Sequence, residues 1–341
     1  MNRAFRVGIS PDFQTDAAGH FEPVIARNFG GIAKVEIATL SSMTGTPADL
    51  EEYDAILALA LRVTADSVRG VERPAIIARW GVGYDLLDVP ALSTASIALC
   101  ITPLGVRTPV AEGELTMIFA LAKNLFPLDR AARTGRWRQD MKGLGRDIAG
   151  SVLGSIGCGN IARELFRLAR PLGFRCLLAC DPRVLPEDVA GAGIELVDME
   201  TVLRESDFVT VNALLTAETK GLIGEAQLRA MKPTAYLVNL ARGPIVDHAS
   251  LVRALQERWI AGAGIDVFPQ EPPPADDPLF ALDNVIVSPH ALAWTDGIMR
   301  GNGDEACKHI LSVMRGEKPG DVVNREVLDD PRFLAKLERY R

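Results

Sequence analysis

The sequence predicts an α/β protein built from two doubly wound parallel-sheet domains, the first of them discontinuous. Three observations carry this. Short apolar runs alternate with helical stretches from the N-terminus, and after a break in texture the alternation restarts at Ile148. Runs that are apolar throughout, rather than at every second residue, suit strands covered on both faces. Six strand candidates follow Ile148, the number a full dinucleotide-binding sheet uses. An amphipathic helix over about 303–315 and the segment GEKPGDVVNREVL then follow the last of these strands and can return to the first domain. The expected division is residues 1–107 plus 300–341 for one domain and 108–299 for the other. Two connections would form a hinge, with the site in the cleft between the domains.

In chain order, FRVGIS (5–10), DAILALAL (54–61), AIIARW (75–80) and IALCI (97–101) read as short buried strands. The stretch from Pro109 to Phe126 reads as one long apolar helix with proline near its first turn. Polar, arginine-rich LDRAARTGRWRQDMKGLGRD follows. The second alternation supplies SVLGSIG, FRCLLACD, DFVTVNA, TAYLVNLA, AGAGIDVF and NVIVSPH, with helical patterns between most of them.

Composition limits the function classes. With 341 residues the chain can bury two substantial cores. A net charge of -7 without any basic block argues against a nucleic-acid partner. Charges or prolines interrupt every apolar run before it reaches the length of a membrane span. The N-terminus MNRAFRVGIS runs into a strand without the apolar core of a signal peptide, so a cytoplasmic location is expected. The five cysteines contain no CxxC pair and read as core thiols, and four histidines are too few for a His-rich metal site. No metal is expected.

SVLGSIGCGNIARELFRLA reads as strand, tight turn and helix. Gly157, Gly159 and Ala162 fit G-x-G-x-x-G/A: a turn, a close backbone approach to a pyrophosphate, and close helix–strand packing. The helix N-terminus would offer free N–H groups to the phosphates. Asp181 stands 22 positions after Gly159 at the end of the next strand, where an acid would accept from ribose hydroxyls and repel a 2′-phosphate. NAD is therefore favoured over NADP. Arg183 keeps NADP open, since it could meet a phosphate or stack on adenine. A plain turn cap before Pro182 is the competing reading of Asp181.

Four polar groups then follow in order at strand ends or just beyond: Arg242, Asp266, Glu271 and His290. Reducing a 2-oxo acid builds negative charge on its carbonyl oxygen, so it requires a cation and a proton donor. Arg242 suits the first task and His290 the second, with Glu271 able to hydrogen-bond the imidazole. Asp266 could accept from the nicotinamide carboxamide or cap a turn. Taken singly, each has a structural alternative: an ion pair for Arg242, a capped core residue for His290, an exposed loop acid for Glu271.

The chain resembles the D-specific 2-hydroxyacid dehydrogenases along nearly its whole length, through RWGVGYDLLDV, TPVAEGELT, the GCGNIA turn, TAETKGLIGEAQLRAMKP, NLARGPIVD, GAGIDVFPQEP and VSPHALAWT. The resemblance implies two Rossmann-like domains, the discontinuous one flavodoxin-like and substrate-binding, and a homodimer built on the NAD-binding domain. It implies Arg242, Glu271 and His290 as the catalytic set. It places Gly157, Gly159, Asn160, Ile161, Asp181, Arg183, Leu240, Ala241, Asp266 and Ala293 along the cofactor. The substrate carboxylate would be held by backbone N–H groups of Trp80, Gly81, Val82, Gly83 and Tyr84; Trp294 stands where the family often has a small residue close to His290 and could line the substrate pocket or pack between the domains. The substrate would be a small 2-oxo or 2-hydroxy acid such as glyoxylate or hydroxypyruvate. A phosphoglycerate dehydrogenase-like enzyme and a non-catalytic, NAD-sensing corepressor-like module are the alternatives. Asn212 and Leu214 depart from the His and Pro that the family often carries after the fourth nucleotide-domain strand.

Overall fold

The computed structural model describes residues 3–15, 18–141 and 143–341. The chain divides into two compact units, residues 1–106 with 295–341, and residues 107–294. The first unit holds a parallel sheet of β1 (Phe5–Ile9), β2 (Val35–Thr39), β3 (Ala55–Ala58), β4 (Ile76–Arg79) and β5 (Ala98–Cys100), in the order β2-β1-β3-β4-β5. β3 and β5 are buried along their whole length, as apolar runs covered on both faces must be. The second unit holds seven parallel strands: β6 (Val152–Ile156), β7 (Cys176–Cys180), β8 (Glu195–Leu196), β9 (Phe208–Val211), β10 (Tyr236–Asn239), β11 (Gly262–Ile265) and β12 (Val285–Val287). Their order is β12-β11-β10-β9-β6-β7-β8. Both sheets are doubly wound, so the expected α/β class with two parallel sheets holds. In each, the strand order reverses beside the first strand, where such sheets open a crevice at their carboxyl ends.

Two strands escaped the sequence reading, and both lie at sheet edges. β2 has no fully buried residue because water reaches it, and Glu36 breaks its apolar run. β8 is only two residues long. The long apolar helix begins at Pro103 rather than Pro109 and ends at Ala122. Pro103 takes the first position, where a missing N–H costs nothing. Pro109 then falls inside the helix, where its ring removes one backbone bond. Left-handed Asn124 (φ 50°) ends that helix region, and a separate helix, Leu125–Arg133, begins at the end of the expected helix and runs into the arginine-rich stretch. The amphipathic C-terminal helix also starts earlier than expected, running over Asp296–Met314.

A further helix, Pro331–Glu338, was not anticipated. Lys336 explains its docking on the first unit. The side chain is buried, and its ammonium donates to the carbonyls of Pro74 (2.9 Å), Ala95 (2.9 Å) and Ser96 (3.0 Å). Those acceptors hold a group whose burial pushes its pKa down to about 8. Asn324 extends the same tie: its side chain accepts from Leu99 N–H (2.8 Å) and donates to the Ile97 carbonyl (2.9 Å).

Candidate functional site

Because β10, β11 and β12 are adjacent and parallel, with Asn239 beside Ile265 and Ile265 beside Val287, their carboxyl ends lie side by side. The loop after β10 carries Arg242, the loop after β11 carries Asp266 and Glu271, and the loop after β12 carries His290. Glu271 Oε2 lies 2.7 Å from His290 Nδ1, while Glu271 Oε1 accepts from Phe268 N–H at 3.0 Å. Burial pushes the Glu271 carboxyl up. The bonds from His290 and Phe268, with the charges of His290 and Arg242, outweigh burial and hold it below its ordinary value. Glu271 is thus a carboxylate at neutral pH, and it occupies the Nδ1 edge of the ring. The Nε2 edge of this half-exposed side chain has no hydrogen-bond partner among the described residues.

Two residues that carry no reactive group fix this arrangement. Asn239 is buried at the end of β10; its side chain accepts from Ala241 N–H (3.0 Å) and donates to the Arg242 carbonyl (3.0 Å). Gly243 lies so close to the backbone of Phe268 and Pro269 that a Cβ would overlap it. The loop bearing Arg242 can therefore rest directly on the loop bearing Glu271. Arg242 Nη1 also donates to the Ala241 carbonyl at 2.8 Å, which aims the guanidinium. Sequence reasoning passed over both residues; the signal was present as the N and the G of NLARG.

Asp266 is buried, and it organises the loop after β12. Its Oδ1 accepts from Ser288 Oγ (2.6 Å), Ala291 N–H (3.1 Å) and Leu292 N–H (3.3 Å), and its backbone carbonyl accepts from His290 N–H (2.8 Å). His290 itself sits at φ 52°, a left-handed conformation that these bonds impose on it. Turn capping, one of its two expected roles, is thus present. Oδ2 has only a long contact at 3.4 Å to Leu292 N–H. Ala293 is buried, and Trp294, next along, is 53% exposed.

At the glycine turn, Gly157 has φ 99°, and a Cβ there would lie 2.5 Å from the Asn212 carbonyl oxygen. Glycine is required by the fold itself. Gly159 differs: apart from its chain neighbours, no atom of the described residues lies within 4 Å of where its Cβ would be. Gly159 precedes the Asn160–Ala169 helix, with Asn160 exposed, Ile161 half-buried and Ala162 fully buried against the core. Asp181 accepts from Cys158 N–H (2.9 Å) through Oδ2 and from Arg183 N–H (2.9 Å) through Oδ1. It both braces the turn and caps its own. Arg183 is exposed, Leu240 buried and Ala241 half-buried.

In the first unit, the loop after β4 departs from expectation in two places. Trp80 points into the core, edge-on to Phe13 and Phe21, each at 5.3 Å between ring centres. Its N–H is bonded to the Ala58 carbonyl (2.8 Å), and Gly81 N–H is bonded to Thr102 Oγ1 (2.7 Å). Neither offers a free donor. The N–H groups of Val82, Gly83 and Tyr84 have no hydrogen-bond partner among the described residues. Arg79 frames this loop by donating to the carbonyls of Gly83 (2.9 Å) and Trp80.

Glu114 was not singled out from the sequence. It is fully buried on the Pro103–Ala122 helix, with neither carboxyl oxygen hydrogen-bonded. Burial pushes its pKa up to about 8, the nearby Asn212 side chain acting weakly in the other direction. Asn212 spends its own amide on Ser155 Oγ (3.1 Å) and Thr210 Oγ1 (3.2 Å).

Comparison with known proteins places this geometry. The NAD-binding domain of the D-isomer specific 2-hydroxyacid dehydrogenases matches residues 115–291. A glyoxylate reductase of Korarchaeum cryptofilum is 37% identical over 283 residues, covering 82% of this chain and 85% of that protein. One from Thermococcus onnurineus is 36% identical over 287 residues, with the same coverage. The crystal structure of a D-lactate dehydrogenase from Aquifex aeolicus, complexed with NAD and lactic acid, superposes with a TM-score of 0.81 at 25% identity, over 93% of this chain and 99% of that one. Among the described residues, no helix is long and apolar enough to cross a membrane. The chain belongs to the D-isomer specific 2-hydroxyacid dehydrogenase family and is an NAD-dependent oxidoreductase acting on the CH–OH group of a small hydroxy acid.

Proposed function

We propose that the protein reduces a small 2-oxo acid of the glyoxylate and hydroxypyruvate class, with Arg242, Glu271 and His290 as its catalytic set. The observation that carries this is the 2.7 Å contact between Glu271 and His290 Nδ1. A carboxylate on Nδ1 keeps a proton there, so Nε2 is the position that gives its proton to the substrate carbonyl oxygen and takes it back in the reverse direction. Arg242 forks onto the carboxylate and carbonyl oxygens and stabilises the charge that grows on the latter. Once Glu271 is protonated, below its lowered pKa, the imidazole loses that partner and the acid arm of the pH profile falls. In this reading residues 1–107 with 300–341 bind the substrate, and the N–H groups of Val82, Gly83 and Tyr84 receive its carboxylate. Trp294 lies against the substrate side chain.

NAD supplies or accepts the hydride at C2. The residues fit it: the open space at Gly159 and the helix N-terminus at Asn160 suit a pyrophosphate. Ile161, Leu240, Ala241 and Ala293 line the groove, Asp181 meets the adenosine ribose with Arg183 beside it, and Asp266 Oδ2 accepts from the carboxamide. Asp181→Ala is expected to lower the NAD-over-NADP ratio of kcat/KM at least tenfold, about 1.4 kcal/mol of discrimination. Steady-state kinetics with both cofactors reads it, and an unchanged ratio would remove Asp181 from ribose recognition.

The working form in this reading is a cytoplasmic homodimer. All five cysteines are free, as suits a reducing compartment. Phe119, Leu125, Phe126, Leu128, Trp137 and Leu144 of the second unit are exposed within one short stretch of chain, an apolar surface that suits a second copy. The function is tested by NADH oxidation against a panel of 2-oxo acids, glyoxylate and hydroxypyruvate included. Turnover of these is expected; NADH binding without turnover of any 2-oxo acid would defeat the proposal.

A further inference from the structure

On the first unit, away from the residues discussed above, Glu305, His309 and Asp321 bring three ligand atoms within 4.8 Å of one another. His309 lies on the Asp296–Met314 helix and is only 4% exposed. Its Nε2 is buried and makes no hydrogen bond, and it faces Asp321 Oδ2 at 3.5 Å. In the neutral tautomer protonated at Nδ1, the Nε2 lone pair is directed into the cluster. Glu305 Oε1 is likewise buried without a partner, while Oε2 accepts from Leu104 and Gly105 N–H, both at 3.2 Å.

With Nε2 in that form, three acceptors converge with no donor between them, an arrangement that repels itself unless a cation enters. We propose that Glu305, His309 and Asp321 form a binding site for a divalent transition-metal ion, Zn²⁺. One imidazole and two carboxylates match the ligand preference of that ion. Ligand distances of about 2.0–2.2 Å give tetrahedral edges of roughly 3.3–3.6 Å, close to the His309–Asp321 separation. Asp321 is 43% exposed, so the site opens to solvent and a water can complete the coordination. A bound ion would clamp the Asp296–Met314 helix to the segment at Asp321 and, through Glu305, to the first turn of the Pro103–Ala122 helix. A His-rich site was excluded by the histidine count; this one uses a single histidine.

The test is calorimetric titration of the full-length, chelator-stripped protein with zinc chloride, with thermal unfolding as a second readout. The wild type is expected to bind one Zn²⁺ at this site with submillimolar or better affinity and to unfold at a higher temperature when loaded. Asp321→Asn and Glu305→Gln keep side-chain shape, and each is expected to weaken that binding about tenfold or more and to abolish the thermal gain. His290→Asn is expected to retain it, which separates the site from the catalytic histidine. NADH oxidation by Asp321→Asn should match the wild type. Zinc binding equal in wild type, Asp321→Asn and Glu305→Gln would overturn the proposal. So would a wild type that takes up no zinc, which would assign the cluster to a shared proton.

Discussion

His290→Ala is expected to lower kcat by about 10²–10⁴-fold, the usual share of a positioned general acid, while the NADH dissociation constant stays within a few-fold. That loss corresponds to about 3–5 kcal/mol of transition-state stabilisation. The expectation rests on geometry: Glu271 holds Nδ1, so Nε2 is the only ring position left for proton transfer. Alanine also inherits a left-handed backbone that histidine tolerates better, a penalty of about 1 kcal/mol on the loop. His290→Asn controls for it, because asparagine accepts that conformation. Single-turnover and steady-state kinetics should show the same loss for both variants. A variant retaining most of its activity would take His290 out of the acid role.

Glu114→Gln is expected to stabilise the protein at alkaline pH. The folded-state pKa, about 8, lies above the ordinary value of 4.5, so between those values the folded state holds a proton that the unfolded state has released. Stability must then fall as pH rises through that window, at up to about 1.4 kcal/mol per pH unit. A buried, unpartnered carboxylate is the cause, and an amide of the same shape cannot ionise. The amide still lacks partners, at a cost of about 1–3 kcal/mol, but that cost does not change with pH. Urea unfolding of both proteins should show their stability difference moving in favour of Glu114→Gln by a few kcal/mol between pH 6 and pH 9. A difference that is the same at both values would show that folded Glu114 is already ionised at pH 6, as in the unfolded chain.

What was legible in the sequence follows burial. Strands covered on both faces, such as DAILALAL and FRCLLACD, announce themselves as apolar runs; the edge strands β2 and β8 do not, because half their surface meets water. Pro109 drew attention as a helix start, yet Pro103 offered the same cue six residues earlier and took it. The α/β class, the family and the enzyme class were readable because reactive groups recur at fixed distances from glycines and strand ends. The bracing was not. Gly243 and the backbone bonds of Asp266 act through contacts between loops that are distant in sequence, while Asn239 braces a local turn that no apolar pattern marks. Trp80 differs for a related reason: its backbone N–H, expected to hold the substrate, is taken by the distant Ala58 carbonyl, and Phe13 and Phe21 enclose its ring.

The contact of Gly243 on Phe268 and Pro269 has a consequence for anyone redesigning this enzyme. With no side chain between them, the loops bearing Arg242 and Glu271 behave as a single casting. An insertion or a bulkier residue in either one re-aims both, so a library built there would mostly sample misaligned catalysts. On the proposed function, selectivity for a new acid is better sought at Trp294 or Tyr84, neither of which takes part in that contact. The tight glycine thus divides the enzyme into a part to leave alone and a part open to variation.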